Sequence, residues 1–534
     1  MKNKLTYLPL IILPVILFVL ALYIRDLRGE YYLYSGYDGV YGYLLSSLNI
    51  AQLKSPGFAQ HPGIVTQIII ATVIKLSHLF WGKDPNMVLD TFNRPEFYLA
   101  QINFTFIYLT IFALFVLGIV SYKKIGNIFA AFFIQLTPFI SILIIYLITQ
   151  NAVECTTMIF ILLLLSLSIS YMYEKAMTKK KNVVYIISFG IICGLALASK
   201  ISILPILIIP FLLIKNFLPK GLFVLISFSV FSILFISLSP DTSYFLAFLF
   251  KSIGNSGYYG TGSEDIIDTA QIIPTLNLII NQFLLFFIIY LIMIITLLLQ
   301  FIPKFKNKIK TNKFSNILIG IVIIQSAYIM LLFKIPLDFY LMPALMFSVF
   351  GLYAVNSILS DLFPQIFVKS KYLYLYILFF FITVLNFNSF RNYIASNILR
   401  KSESHKIVKY LKDNYSHAVI ISTDFTSSMP TALYEGLGYS GSQRKYYHSI
   451  LKNKYPKYIY FELWAKKFKY ISDNSDLINE LNLSDTIVYH SLDDASFKNF
   501  KEKFIEATNK PNSTFNEVFS NKYGEKIYLV NLQE

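Results

Sequence analysis

The chain has 534 residues, 56% of them hydrophobic and 14% charged, with a formal net charge of +16. These proportions exclude a soluble globular domain and a disordered chain, and point to a polytopic membrane protein. Two cysteines are too few for a disulfide framework, and six scattered histidines without H-x-x-H spacing argue against a zinc site.

The first apolar run covers 5–24, behind Lys2 and Lys4. No small-residue cleavage site follows Tyr23-Ile24-Arg25, so it reads as an anchor rather than a signal peptide. A polar, aromatic-rich loop over 25–98 comes next. It carries Asp38 in Gly36-Tyr37-Asp38-Gly39, then His61-Pro62-Gly63, then an apolar stretch over 64–81. Ten further runs, each near the ~20 residues that cross a bilayer, cover 99–120, 127–148, 155–173, 183–199, 202–218, 221–238, 276–300, 314–333, 338–359 and 372–389. That makes eleven predicted spans.

Basic residues set the orientation. Lys2, Lys4, Lys123, Lys124, Lys175, Lys179, Lys180, Lys181, Lys215, Lys220, Lys304 to Lys313, Lys369 and Lys371 share one side, which short basic loops mark as cytoplasmic. The N-terminus is then inside and everything after 390 outside. A crossing at 64–81 would invert every later cluster, so that stretch is expected to lie at the membrane interface, with Lys75 and His78 on its polar side.

Residues 391–534 hold 20 of the 46 basic residues and read as a separate α/β domain. Strands are expected at 419–422, 458–461, 486–489 and 526–530, and helices at 404–414, 475–481 and 494–507. The two predicted domains are therefore 1–390 and 391–534.

Several side chains on the outer side carry possible chemistry. Asp38 is placed to take a proton from an acceptor, or is a turn aspartate between glycines. Glu154 follows the third span and either orients an acceptor or caps the next helix. His61, ahead of a proline turn, either contacts an acceptor or has a purely structural role, and Tyr41, another candidate acceptor contact, shares with Tyr37 and Tyr258 either a sugar-stacking role or plain interface packing. Lys200, Lys251 and Lys334 run against the positive-inside bias and are suited to a lipid phosphate or to headgroup snorkelling. Gly257, Gly260 and Gly262 mark a loop expected to order on substrate binding. Asp424, after the first strand of the α/β domain, sits where such domains often bind ligands, or is a turn or cap residue.

Taken in order, these pieces resemble the GT-C superfamily of membrane glycosyltransferases, in the branch of protein O-mannosyltransferases and aminoarabinose transferases. The resemblance covers roughly 1–390. It rests on Asp38, His61-Pro62-Gly63, Glu154, the stretch Gly194-Leu195-Ala196-Leu197-Ala198-Ser199-Lys200, and Tyr340-Leu341-Met342-Pro343. The chain departs from the pattern at Gly39, which is not a second acid, at Gly63, which replaces a second proline, and at Glu154, where aspartate is usual.

The resemblance implies an inverting transfer of a hexose or pentose from a polyprenyl-phosphate donor to a glycan, lipid or protein acceptor. Asp38 is the implied base, Lys200 and Lys251 the implied phosphate ligands, and no metal or other cofactor is implied. The Lys-, Ile-, Asn- and Tyr-rich composition suggests an AT-rich bacterial genome, hence undecaprenyl rather than dolichyl phosphate, in a cytoplasmic membrane and with no nucleic-acid partner. Other readings are a flippase for lipid-linked sugars, against which the absence of a repeat counts, a surface-polysaccharide polymerase or ligase, and a scaffold.

Overall fold

A computed structural model describes residues 5–33, 39–58, 63–238, 242–257, 260–262, 264–265, 267–367, 373–471 and 473–533. Asp38, His61, Tyr37 and Tyr258 lie outside the described residues. The chain divides into two compact units, each built from separated segments. One comprises Met1–Ile24, Ala59–Thr66 and Asn103–Asn392; the other comprises Arg25–Phe58, Gln67–Ile102 and Tyr393–Glu534.

Among the described residues, nine helices are long and apolar enough to cross a membrane: Tyr7–Arg28, Ile64–Trp81, Pro95–Ile125, Val153–Met172, Lys179–Ser199, Phe217–Leu238, Leu284–Phe301, Ser315–Lys334 and Asp338–Leu362. The protein is an integral, multi-pass membrane protein. Ile64–Trp81, expected at the interface, is a continuous helix of spanning length.

Three predicted spans are not single helices. The run over 127–148 breaks into Ile128–Gln135, a 3-10 turn Thr137–Phe139 and Ile142–Ile148. Pro138 has no N–H to continue the first helix, and Ser141 caps the next by accepting from the Leu143 amide. The run over 202–218 contracts to a 3-10 segment Ile201–Leu207 and a short helix Ile208–Leu213, with Pro205 and Pro210 inside them. At thirteen residues this pair is too short to span as an α-helix. The run over 276–300 divides at Phe283 into Ile272–Gln282 and Leu284–Leu298. The last predicted span, 372–389, is the start of a single 42-residue helix, Leu373–Asn414, which also contains the helix predicted at 404–414.

Small residues let helix Lys179–Ser199 approach Phe217–Leu238. A Cβ on Gly190 would come within 2.5 Å of the Ile226 side chain, and one on Gly194 within 2.6 Å of the Ser227 carbonyl.

The second unit holds a six-stranded mixed sheet: β1 (Val419–Thr423), β2 (Tyr458–Glu462), β3 (Lys467–Lys469), β4 (Ile487–Ser491), β5 (Thr514–Ser520) and β6 (Lys526–Asn531). The order is β3-β2-β1-β4-β6-β5, with β1 parallel to β2 and β4 and the other neighbours antiparallel. One face buries Val419, Ile421, Phe461, Ile487 and Tyr489 against Phe500 and Phe504 of helix Asp494–Thr508 and Leu477 and Leu481 of helix Asn474–Leu481. The other packs Val488 and Ile527 on Ile407 and Leu411 of the long helix.

The first-loop segments belong to this same unit. Helix Val40–Ala51 lies against helix Met429–Leu437 so closely that a Cβ on Gly436 would sit 2.8 Å from the Tyr41 backbone. Asn49 Nδ2 donates to the Ser440 carbonyl at 2.8 Å, and the Tyr447 hydroxyl donates to Asn49 Oδ1 at 2.8 Å. At Gly57 a Cβ would meet backbone atoms on two sides, Gly441 N at 2.2 Å and Tyr439 O at 2.4 Å. Gly57→Ala is therefore expected to cost about 1–3 kcal/mol, because backbone must move to admit a methyl group. Gly221→Ala is the control: it sits in helix Phe217–Leu238 with nothing within 4 Å of an added Cβ, and is expected to be neutral or slightly stabilising. Thermal unfolding of the two purified variants checks the contrast.

Candidate functional site

The first unit brings four of the sequence motifs to one place. Helix Val153–Met172 begins beside Glu154, and helix Lys179–Ser199 ends at Lys200, which takes extended backbone and closes the helix. The Lys200 ammonium forms an ion pair with the Glu154 carboxylate, the two side chains being 6% and 5% exposed. Its charge also lies over the rings of Phe339 and Tyr340, 4.8 and 4.5 Å from their centroids.

Gly63 joins the same cluster. It adopts φ +54° and donates its N–H to the Ser199 carbonyl at 3.0 Å, one residue before Lys200. Proline is locked near φ −65° and has no N–H, so neither feature is open to a second proline. The departure at Gly63 thus has a local physical cause. Beyond it, Thr66 and Thr156 share a buried hydroxyl–hydroxyl hydrogen bond of 2.6 Å, tying the start of helix Ile64–Trp81 to the turn that carries Glu154. Asn103 Nδ2 donates to the Ile148 carbonyl at 3.2 Å, and the Tyr328 hydroxyl to the Ser202 carbonyl at 3.1 Å, holding the loops on either side.

Lys334 and Lys251 share a second locale in the same unit. Lys334 Nζ donates to the Ile253 carbonyl at 2.6 Å, which caps the end of helix Thr242–Gly254. Lys251, one turn earlier, is exposed. The glycine loop closes on this helix end: Gly262 N donates to the Ser256 carbonyl at 2.8 Å and Gly260 N to the Gly257 carbonyl at 3.3 Å. A Cβ on Gly260 would reach within 2.5 Å of the Lys251 carbonyl.

Tyr41 belongs to the other unit and is buried there. Its hydroxyl donates to the Glu96 carboxylate, which also accepts from the Tyr31 amide at 2.8 Å, and it lies 3.4 Å from Met429 Sδ. Tyr41 therefore anchors the first loop in this structure. Burial and the Glu96 charge raise its phenol well above the usual tyrosine range. Glu96 escaped the sequence reading because an acid after Pro95, at the start of a span, passes for a residue matched to the helix dipole. Its position at a membrane edge was the available signal.

Asp424 lies in the turn after β1, as expected, but is buried and caps no helix. Tyr460 and the Leu463 amide (2.9 Å) both donate to its carboxylate, while Ser428 caps helix Met429–Leu437. Burial outweighs these bonds and pushes Asp424 up to about 6, from an ordinary 3.8. Burial, with Asp424 beside it, raises Glu435 too. Because the folded state holds its proton more tightly, Asp424's stabilising contribution is complete below about pH 4 and is lost as the pH rises through 6. The expected loss is about 3 kcal/mol, with Asp424→Asn abolishing that part of the slope. Unfolding of both proteins between pH 4 and 8 checks it.

No family model matches the sequence, and no curated protein matches it by sequence. Among solved structures the chain is similar to the crystal structure of ArnT from Cupriavidus metallidurans bound to undecaprenyl phosphate. The match has a TM-score of 0.52 at 11% identity, over 99% of this chain and 98% of that one. The fold is that of ArnT. The apo-state crystal structure of the same protein matches with a TM-score of 0.49 at 11% identity, over 96% and 97% of the two chains. The ArnT fold accounts for both parts of this chain, the helical part that the GT-C resemblance covered and the sheet domain that it did not.

Proposed function

We propose that the protein transfers a monosaccharide from a polyprenyl-phosphate donor to an acceptor on the outer face of a bacterial cytoplasmic membrane. The observation that carries this reading is the ArnT fold along nearly the whole chain. A member of that fold has been crystallised with undecaprenyl phosphate, and a donor of the same chemistry suits a chain whose polar motifs lie between apolar helices. In this reading the lysine clusters of the short loops keep the N-terminus inside and the Asp38 loop outside, with helix Ile64–Trp81 not crossing.

In this reading Asp38 takes the proton from the acceptor hydroxyl or amine. The acceptor atom bonds to the anomeric carbon from the face opposite the phosphate, with inversion. The bond from that carbon to the phosphate oxygen breaks, and its electron pair leaves on the polyprenyl phosphate. Fixed positive charge stabilises the phosphate as it separates. Lys251 is in no ion pair among the described residues, and Lys334 spends one of its three N–H groups on Ile253. These two supply the charge, while Lys200, held by Glu154, keeps the neighbouring turns in place. His61 contacts the acceptor.

The test is release of free undecaprenyl phosphate from a labelled undecaprenyl-phosphate hexose by the purified full-length protein with envelope extract as acceptor. Release that requires the acceptor supports transfer. No release, with faster movement of the labelled donor across a vesicle bilayer, overturns it in favour of a flippase.

A further inference from the structure

The second unit contains a cavity of about 440 Å³ that takes no part in the transfer reading. Val408, Leu411, Ala418, Ile420, Met429 and Pro456 wall it, with the Tyr32, Tyr455 and Tyr458 side chains. The volume falls in the ~300–1,000 Å³ range of small-molecule sites, and the walls are mainly apolar, as such sites are.

Its charges are all of one sign. Lys412, Lys454 and Lys457 line it, and no carboxylate does. None of the three lysines is in an ion pair among the described residues. Lys454 donates to the Phe92 carbonyl at 2.7 Å and to Asn93 Oδ1 at 3.2 Å, and Lys457 to the His417 carbonyl at 2.8 Å. Each ammonium has three N–H groups, so each keeps a donor in reserve. Burial lowers the Lys454 ammonium, a cost that a neighbouring anion relieves. Two of the three lining serine hydroxyls are already engaged. Ser427 donates its N–H and Oγ–H to Glu525, at 2.6 and 3.1 Å, and Ser428 is bonded to Tyr458. Recognition of a charged head falls to the lysines, with the Ser416 hydroxyl beside them, and that of a body to the apolar wall.

We infer that this cavity binds a single-chain amphiphilic anion, its hydrocarbon chain against Ile420 and Leu411 and its head among Lys412, Lys454 and Lys457. The head chemistry shared by a carboxylate and a phosphate monoester satisfies the site, and the test separates them.

The full-length protein, in nanodiscs of zwitterionic phospholipid, is photolabelled with diazirine-bearing dodecanoate, dodecyl phosphate or dodecanol, and the adducts are mapped by peptide mass spectrometry. At least one anion is expected to label the peptides around 408–420 and 427–458 about tenfold more than the alcohol does. Lys412→Gln with Lys457→Gln is expected to remove about a tenfold share of that labelling. Both lysines lie at least partly in solvent, so this variant is expected to unfold at the wild-type temperature. Ile420→Phe, which fills the cavity, provides a second variant with the lysines intact, and is expected to lose the label. The stronger of the two anions identifies the head. Equal labelling by the alcohol, undiminished labelling in the lysine variant, or adducts confined to other peptides would overturn the inference.

Discussion

Asn in place of Asp38 is expected to slow sugar transfer by about 10²–10⁴-fold, the usual contribution of a positioned general base. The substitution is nearly isosteric and leaves the turn chemistry of Tyr37-Asp38-Gly39 in place. Donor binding and the unfolding temperature are therefore expected to hold while kcat falls. Gly39, the next residue, takes φ +49° to start helix Val40–Ala51, and that helix is fixed by Asn49 and by the contact at Gly436. Helix Val40–Ala51, which begins two residues after Asp38, is thus tied to the α/β domain. Acceptor-dependent release of undecaprenyl phosphate is the measurement. Turnover within a few-fold of wild type would remove Asp38 from the proton transfer.

Lys200→Met is expected to destabilise the helical unit by about 3–5 kcal/mol, because it leaves the Glu154 carboxylate buried without its counter-charge. Glu154→Gln is expected to be costly for the converse reason, with the ammonium left over the Phe339 and Tyr340 rings. The double variant removes both charges and is expected to recover at least half of either loss. Unfolding of the three detergent-purified variants forms the cycle. Two mild single losses that simply add would mean the ion pair does not hold these turns together.

Most membrane helices were legible because long apolar runs leave few alternatives. The misses have specific causes. An apolar run says nothing about where a proline interrupts the hydrogen-bond ladder, so Pro138, Pro205 and Pro210 broke predicted spans without lowering their hydrophobicity. The change to polar residues after Ser389 looked like an end, yet nothing between 390 and 414 stops a helix, and Leu373–Asn414 runs through. Strands β1, β2, β4 and β6 were visible as apolar runs. β5 and β3 are edge strands, with Glu517 and paired lysines breaking their alternation. Of the site, Glu154, Lys200, Gly63 and Tyr340 were each readable as motif residues. Their convergence is a long-range fact that no local pattern carries. The Thr66–Thr156 bond and the role of Glu96 rest on partners far along the chain and left no local trace.

The interleaving of the second unit imposes an order on biogenesis. Asn49 and its Ser440 partner are 391 residues apart in the chain. At ~5–20 residues per second of synthesis, the first loop waits roughly 20–80 s for the strands and helices that complete it. During that interval Asn49 lacks its Ser440 and Tyr447 partners, and helix Val40–Ala51 lacks helix Met429–Leu437 to pack against. A chain that stops short of the sheet domain strands the loop permanently. Ribosomal pausing late in the message would lengthen that wait.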